Sequence, residues 1–241
     1  MTTMYDAVWA KFAQSEHISA MPRREGIGMA LIVWVQEPSI VARIAEIQKE
    51  FQTIQAFSPT PLDALHITIR SLGRLIELLA TEPLATEPPS NLPPAPLEVA
   101  PGQLPRCTHR PLVEHLRLIL SGVPPFAIHL ARINSFFVCP FVETHNGETI
   151  QRIRGALAPG LDALGLADYD YGTFGFIPHL TLGLYTESSG GAAARQMVTK
   201  LRECEIGTLW VDRLTLAQAD LSAQVCCLKP IAEFQLTSTD R

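Results

Sequence analysis

Two short segments carry residues suited to chemistry on a phosphate. Leu65-His66-Ile67-Thr68-Ile69 and Pro178-His179-Leu180-Thr181-Leu182 each set a histidine and a threonine two apart among aliphatic residues. In a β-strand, residues i and i+2 project from one face. His66 and Thr68 then project together, with Leu65, Ile67 and Ile69 behind them, and His179 and Thr181 do the same in front of Leu180 and Leu182. Two imidazoles on opposite sides of one phosphorus can take a proton from a nucleophile and give one to a leaving oxygen, since histidine titrates near neutrality. Two hydroxyls beside them can donate to the non-bridging oxygens as charge spreads there. The expectation is that the two strands meet in one cleft and hold a phosphate between the imidazoles. His17-Ile18-Ser19 fits the same pattern, but its flanks do not read as a strand, and it is taken as a coincidence.

Other residues are candidates for binding. Arg70 shares the face of His66 and Thr68 if the strand stays regular, as a phosphate ligand or a surface ion pair. Tyr185, by the same alternation from His179, reaches the mouth of the cleft. Tyr169, Tyr171, Phe174 and Phe176 precede the second motif. Such aromatics stack a base or pin their loop to the core, and Tyr171 and Phe174 are carried forward as substrate-binding candidates with Arg70 and Tyr185. His129 reads as a core or edge histidine, and His109, His115 and His145 as solvated. No third ligand stands at a recognisable spacing from His66 and His179, so no metal and no other cofactor is expected.

The elements that must position these residues follow from periodicity. Tyr5, Val8, Trp9 and Phe12 fall at helical spacing and predict an N-terminal helix within residues 1–25, docked on the body or on another subunit. Residues 27–35 read as a buried strand. Pro38 and Ser39 open a helix with Ile40, Ile44, Ile47 and Phe51 on one stripe. The strand of His66 and Thr68 closes at Gly73. Residues 77–105 hold eight prolines, which argues for an inserted, exposed loop. A helix through Leu112, Leu116, Ile119 and Leu120 and a strand at 126–130 come next. Residues 136–142 begin another strand, Gly147 and Glu148 introduce a helix, and the second motif follows an aromatic loop. A helix through Met197 and Leu201, a strand over 209–216 and a final strand within 225–236 complete the chain. Strand, helix, His-x-Thr strand, helix, strand thus occurs twice, about residues 26–134 and 135–241. Two pseudo-symmetric lobes of α+β architecture are predicted, with mainly antiparallel sheets around a central cleft, helices outside, and strands open to exchange between lobes.

Composition sets limits on partners. The chain has 241 residues, 47% hydrophobic, enough for one large domain or two small lobes. A formal net charge of −5 argues against an extended nucleic-acid surface, which needs clustered Lys and Arg. A small anionic ligand or an RNA end remains compatible. The five cysteines form no Cys-x-x-Cys pair and read as reduced thiols. No basic region followed by an apolar core opens the chain, and the longest apolar run, 27–35, is too short to span a bilayer as a helix. Cytoplasmic placement and no membrane partner are expected, with the oligomeric state left open.

Together these residues resemble the two-histidine (2H) phosphoesterases, in the branch of bacterial RNA 2′,3′-cyclic phosphodiesterases, also called 2′-5′ RNA ligases. The resemblance is carried by residues 65–73, by Pro178-His179-Leu180-Thr181-Leu182, by Trp210-Val211-Asp212-Arg213-Leu214-Thr215-Leu216 and by a closing strand that ends in Phe234-Gln235-Leu236. It implies metal-independent opening of a 2′,3′-cyclic phosphate, at an RNA end or on a small nucleotide, to a 2′-phosphate, with the reverse reaction being 2′-5′ ligation. His66 and His179 would be acid and base in unassigned order, and Thr68 and Thr181 would stabilise charge. Three positions depart from the family pattern: the Pro-rich insertion, Leu65 where Pro is frequent, and Gly183-Leu184-Tyr185 where a basic residue often follows the second motif. A non-catalytic binder of nucleotides or RNA ends is the alternative, and a structural domain with fortuitous histidines would follow if the motifs lay far apart.

Overall fold

A computed structural model describes residues 3–15, 17–22, 26–75, 103–104, 109–163, 175–220 and 227–237. Tyr171, Phe174 and nearly all of the Pro-rich stretch lie outside these residues. The elements in chain order are α1 (Met4–Ala13), β1 (Ile27–Trp34), α2 (Pro38–Phe51), β2 (Phe57–Pro59), β3 (His66–Leu75), β4 (Gln103–Leu104), α3 (His109–Leu120), β5 (Phe126–Ser135), β6 (Pro140–His145), α4 (Gly147–Ala163), β7 (His179–Thr181), β8 (Gly183–Tyr185), α5 (Gly191–Leu201), β9 (Glu205–Val211), β10 (Arg213–Asp220) and β11 (Cys227–Gln235). The class is α+β, with a large, mainly antiparallel sheet.

The sheet runs β11-β10-β1-β3-β7-β6-β5-β9, with β4 parallel to the end of β3 and a separate β2-β8 ribbon. Its two halves do not follow the sequence halves. β10 and β11 lie beside β1 and β3, whereas β5 lies beside β6 and β9. The halves meet where β3 pairs with β7, at Ile67 opposite Leu180. Residues 209–216, expected as one strand, divide at Asp212: β9 ends one edge of the sheet and β10 lies next to the other.

Alternation sorts side chains onto two faces. Leu31, Ile67, Leu130, Leu180 and Leu216 are fully buried and join one core with Ile40, Ile44 and Ile47 of α2, Leu112 and Leu116 of α3, Ile150 and Ile153 of α4, and Val198 of α5. α2–α5 therefore cover this back face, each through its apolar stripe. Pro38 begins α2 where its missing N–H costs nothing. His115, expected in solvent, lies against Gly160 of α4, where a Cβ would meet its ring.

The front face is covered differently. There α1 packs on β5 and β6 through Val8, which clusters with Phe141 and Ile177, and through Tyr5. Thr3 caps the helix in a reciprocal box with Asp6. Residues 136–139 form a turn, and β6 starts at Pro140, later than the apolar run suggested. His17 is exposed outside any strand, as its flanks implied.

Candidate active site

Pairing of Ile67 with Leu180 fixes the geometry of the two motifs. In an antiparallel ladder the neighbours of that pair are His66 opposite Thr181 and Thr68 opposite His179. All four point to the face opposite the buried Ile67 and Leu180. Each histidine thus stands across from the other motif's threonine, and the imidazoles lie on a diagonal. All four residues are half-buried. The separation that would have left the histidines fortuitous is not found.

Both rings are set by the same local device. His66 Nδ1 lies 2.8 Å from the Ala64 carbonyl oxygen, and His179 Nδ1 lies 2.7 Å from that of Ile177. A carbonyl only accepts, so each Nδ1 carries the proton and each neutral ring keeps its Nε2 lone pair for the site. Burial holds both imidazoles below the ordinary histidine pKa and outweighs the carbonyl bonds, which act the other way; the charge of His66 lowers His179 further.

Aromatic rings back the histidines. Trp34 meets His66 edge-on at 6.3 Å between ring centres. Phe136 and Phe141 meet His179 at 5.1 and 5.2 Å. Spacing in the sequence did not mark these three, although Trp34 lies opposite His66 on β1 and Phe141 opposite Thr181 on β6. A cavity of about 520 Å³ opens past Trp34, with Asp63, Trp210, Asp212, Arg213 and Glu233 in its walls; none of the motif side chains lines it.

Glu143, paired with His179 across β6 and β7, is fully buried. Its carboxylate takes hydrogen bonds from Asn134 Nδ2 at 2.8 Å and Arg202 Nη1 at 2.5 Å, with Arg132 at 3.6 Å. A buried carboxylate so held is a structural anchor, since removing its partners would leave an uncompensated charge.

Two expected ligands are placed elsewhere. Against β1, strand β3 carries one extra residue between Thr68, opposite Ile32, and Arg70, opposite Leu31. This bulge turns Arg70 to the back face. There it is buried and donates from Nη1 to the Arg154 carbonyl of α4 at 3.1 Å, so it is not a phosphate ligand. Tyr185 is also buried, not at a cleft mouth; its hydroxyl bonds Ser135 Oγ at 3.0 Å, and burial pushes its pKa up. Phe176 stacks under the Arg154 guanidinium, 3.7 Å from ring centre to Cζ, and so pins its loop. His129 is exposed and packs near His145, ring centres 5.9 Å apart, on the front face. Among the described residues, no three His, Cys, Asp or Glu side chains gather as a metal site requires, and no helix is long and apolar enough to cross a membrane.

The sequence profile of the 2′-5′ RNA ligase superfamily matches residues 36–222. The chain belongs to that superfamily. No curated protein matches it in sequence. Solved structures agree in fold. TT0787 of Thermus thermophilus superposes with a TM-score of 0.62 at 14% identity, over 88% of this chain and 99% of that one. E. coli LigT complexed with 3′-AMP gives 0.57 at 14% identity, and LigT complexed with NADP+ gives 0.55 at 14%; each comparison covers 89% of this chain and all of LigT. The superfamily profile takes in both His-x-Thr motifs but begins after α1 and β1.

Proposed function

We propose that the protein is a phosphodiesterase of the 2H type, which opens 2′,3′-cyclic phosphates on RNA ends or small nucleotides without a metal. The observation that carries this reading is the pairing of Ile67 with Leu180, which gathers two imidazoles and two hydroxyls on one face. A phosphate over that face would meet a neutral Nε2 on one side and a protonated Nε2 on the other. The neutral ring takes a proton from water as it attacks phosphorus. The protonated ring delivers a proton to the departing ribose oxygen, and departure of the 3′ oxygen leaves a 2′-phosphate. Thr68 and Thr181 donate to the non-bridging oxygens. With the 5′-hydroxyl of a second RNA in place of water, the neutral ring takes the hydroxyl proton, the 3′ oxygen departs with a proton from the other ring, and the product is a 2′-5′ diester, which is 2′-5′ ligation. Nucleotide-bound LigT supports a nucleotide ligand. With a net charge of −5, contacts limited to an RNA terminus fit better than a long duplex surface. The work would be done in the cytoplasm, on RNA processing products.

The test is turnover of 2′,3′-cyclic mononucleotides with a chelator present, followed by identification of the product. Hydrolysis to 2′-phosphates is the expected result. Activity that the chelator abolishes and a divalent ion restores would overturn the metal-free scheme. Tight nucleotide binding with no turnover would favour the non-catalytic binder instead.

A further inference from the structure

The two motifs are built alike but supported unlike. The Ala64 carbonyl that fixes His66 closes a short 3-10 turn at Leu62–Ala64, directly before β3. The Ile177 carbonyl that fixes His179 belongs to residues 175–178, which have no regular structure. Arg154 of α4 holds Phe176 in that segment, and the rest of its support comes from β6 and from the other end of the chain. Val8 is buried against Ile177 and Phe141. The Tyr5 hydroxyl accepts from Thr144 N–H at 3.1 Å and faces the carbonyls of Pro178, at 2.5 Å, and Thr144, at 2.9 Å. Thr144 Oγ1 donates to the same Pro178 oxygen at 3.0 Å. Asn134 Nδ2 donates to the Tyr5 carbonyl at 2.9 Å, and Asp6 lies 3.6 Å from Arg132 and 4.0 Å from Arg202. These contacts lock α1 to β5, β6 and the residues just before His179.

We propose that α1 is a working part of the active site, and that Tyr5 and Val8 are positioning residues that hold the 177–178 backbone so that the Ile177 carbonyl fixes the tautomer of His179. The physical reason is that a ring nitrogen is held as a donor only while its acceptor stays still. Residues 177–178 bond to β6 through Pro178, and Tyr5 completes that attachment. The ionisable groups facing His179 are His66 on β3 and Glu143 on β6, with Arg132 and Arg202 around the carboxylate, while Tyr5 on α1 bonds the Pro178 carbonyl just before the ring. The proposal rests on the phosphodiesterase reading only for its effect on turnover, whereas the state of the ring is read independently.

The experiment compares the full-length protein with Tyr5→Phe and Val8→Ala by long-range ¹H–¹⁵N correlation of the imidazoles, and by kcat and KM on a 2′,3′-cyclic mononucleotide. The wild type should show His179 neutral with Nδ1 protonated. Tyr5→Phe should mix its tautomers and move its titration, leave the His66 signals in place, and lower kcat roughly tenfold with KM within about twofold, the scale on which partners of functional histidines act. If Tyr5→Phe does not fold, Val8→Ala decides by the same signals. His179 unchanged in tautomer and titration in the folded variants would overturn the proposal, as would equal changes at His66 and His179, which report general loosening. A wild type without turnover would count against the phosphodiesterase and leave the tautomer result to decide the role of α1.

Discussion

At the scale of single residues, His66 and His179 share one electrostatic setting, and consequences follow for both activity and stability. His66→Ala and His179→Ala should each lower turnover of a cyclic nucleotide by roughly a hundredfold or more, as expected for loss of a general acid or base. Near-normal steady-state rates in either variant would remove that residue from the chemistry. Thr68→Ala and Thr181→Ala should cost about ten- to a thousandfold, the range for one charge-stabilising donor. Burial depresses both imidazoles, so the free protein holds both neutral near pH 7, while catalysis needs one of them protonated. kcat/KM should therefore pass through a maximum below about 6.5, falling as pH rises through the higher of the two depressed values and falling again in acid, where both rings are protonated. A bound phosphate anion favours the protonated ring, so the kcat profile should extend to higher pH than that of kcat/KM. For folding the sign is that of a group whose charged form the folded state disfavours. The contribution is fully present above the unfolded value of about 6.5 and is lost as pH falls from there toward the lower folded values. Thermal midpoints measured from pH 7 to 5 should fall less steeply in His66→Gln/His179→Gln than in the wild type.

At the scale of elements, α4 ties the two motifs together. Arg70 donates to the Arg154 carbonyl, Arg154 Nη1 donates back to the Ile69 carbonyl at 2.9 Å, and the Arg154 guanidinium lies on Phe176, two residues from Pro178. Arg154→Met should cost about 2 kcal/mol by leaving a buried carbonyl unpaired, read by chemical denaturation. Arg154→Lys should restore little, because a lysine cannot bond the carbonyl and lie flat on the ring at once. The bulge that creates this clamp could not be read from the chain: His66-Ile67-Thr68-Ile69-Arg70 alternates without a break, and one extra residue shows only against the partner strand. The helices were legible because their apolar stripes face a single core, as Ile40, Ile44, Ile47 and Phe51 do in α2. Tyr185 misled because the alternation from His179 stops at Thr181: β8 belongs to the separate β2-β8 ribbon, and there the ring joins the buried core. The His-Thr pairs themselves were plain, since two residues on one strand share a face whatever the rest of the sheet does. That they oppose each other depended on the duplicated order of elements, which pattern alone conveys. Trp34, Phe136 and Phe141 came from neighbouring strands and a turn, where only register or three-dimensional packing brings them to the histidines.

At the scale of the whole molecule, the exchange of strands makes the site a property of the entire fold. β10 and β11 complete the half that carries His66, although they follow His179 in the chain, and β5 supports the half that carries His179 although it precedes it. Neither residues 26–134 nor 135–241 holds all the strands of the half of the sheet that carries its histidine, since each lacks strands that the other supplies. The two halves also share a continuous helix-backed core. Unfolding is therefore expected as one cooperative transition. Trp9 reports on α1, Trp34 on the surroundings of His66 and Trp210 on β9, the last two from the walls of one cavity. Fluorescence of variants that keep one tryptophan each, far-UV circular dichroism and loss of catalytic turnover should give coincident midpoints in urea. A separate, earlier loss of activity together with the Trp9 signal would show α1 leaving before the body unfolds, which would make the helix a removable cover and not part of one folding unit. Coincidence would mean that the diagonal of His66 and His179 persists only while every strand between β11 and β9 is in place.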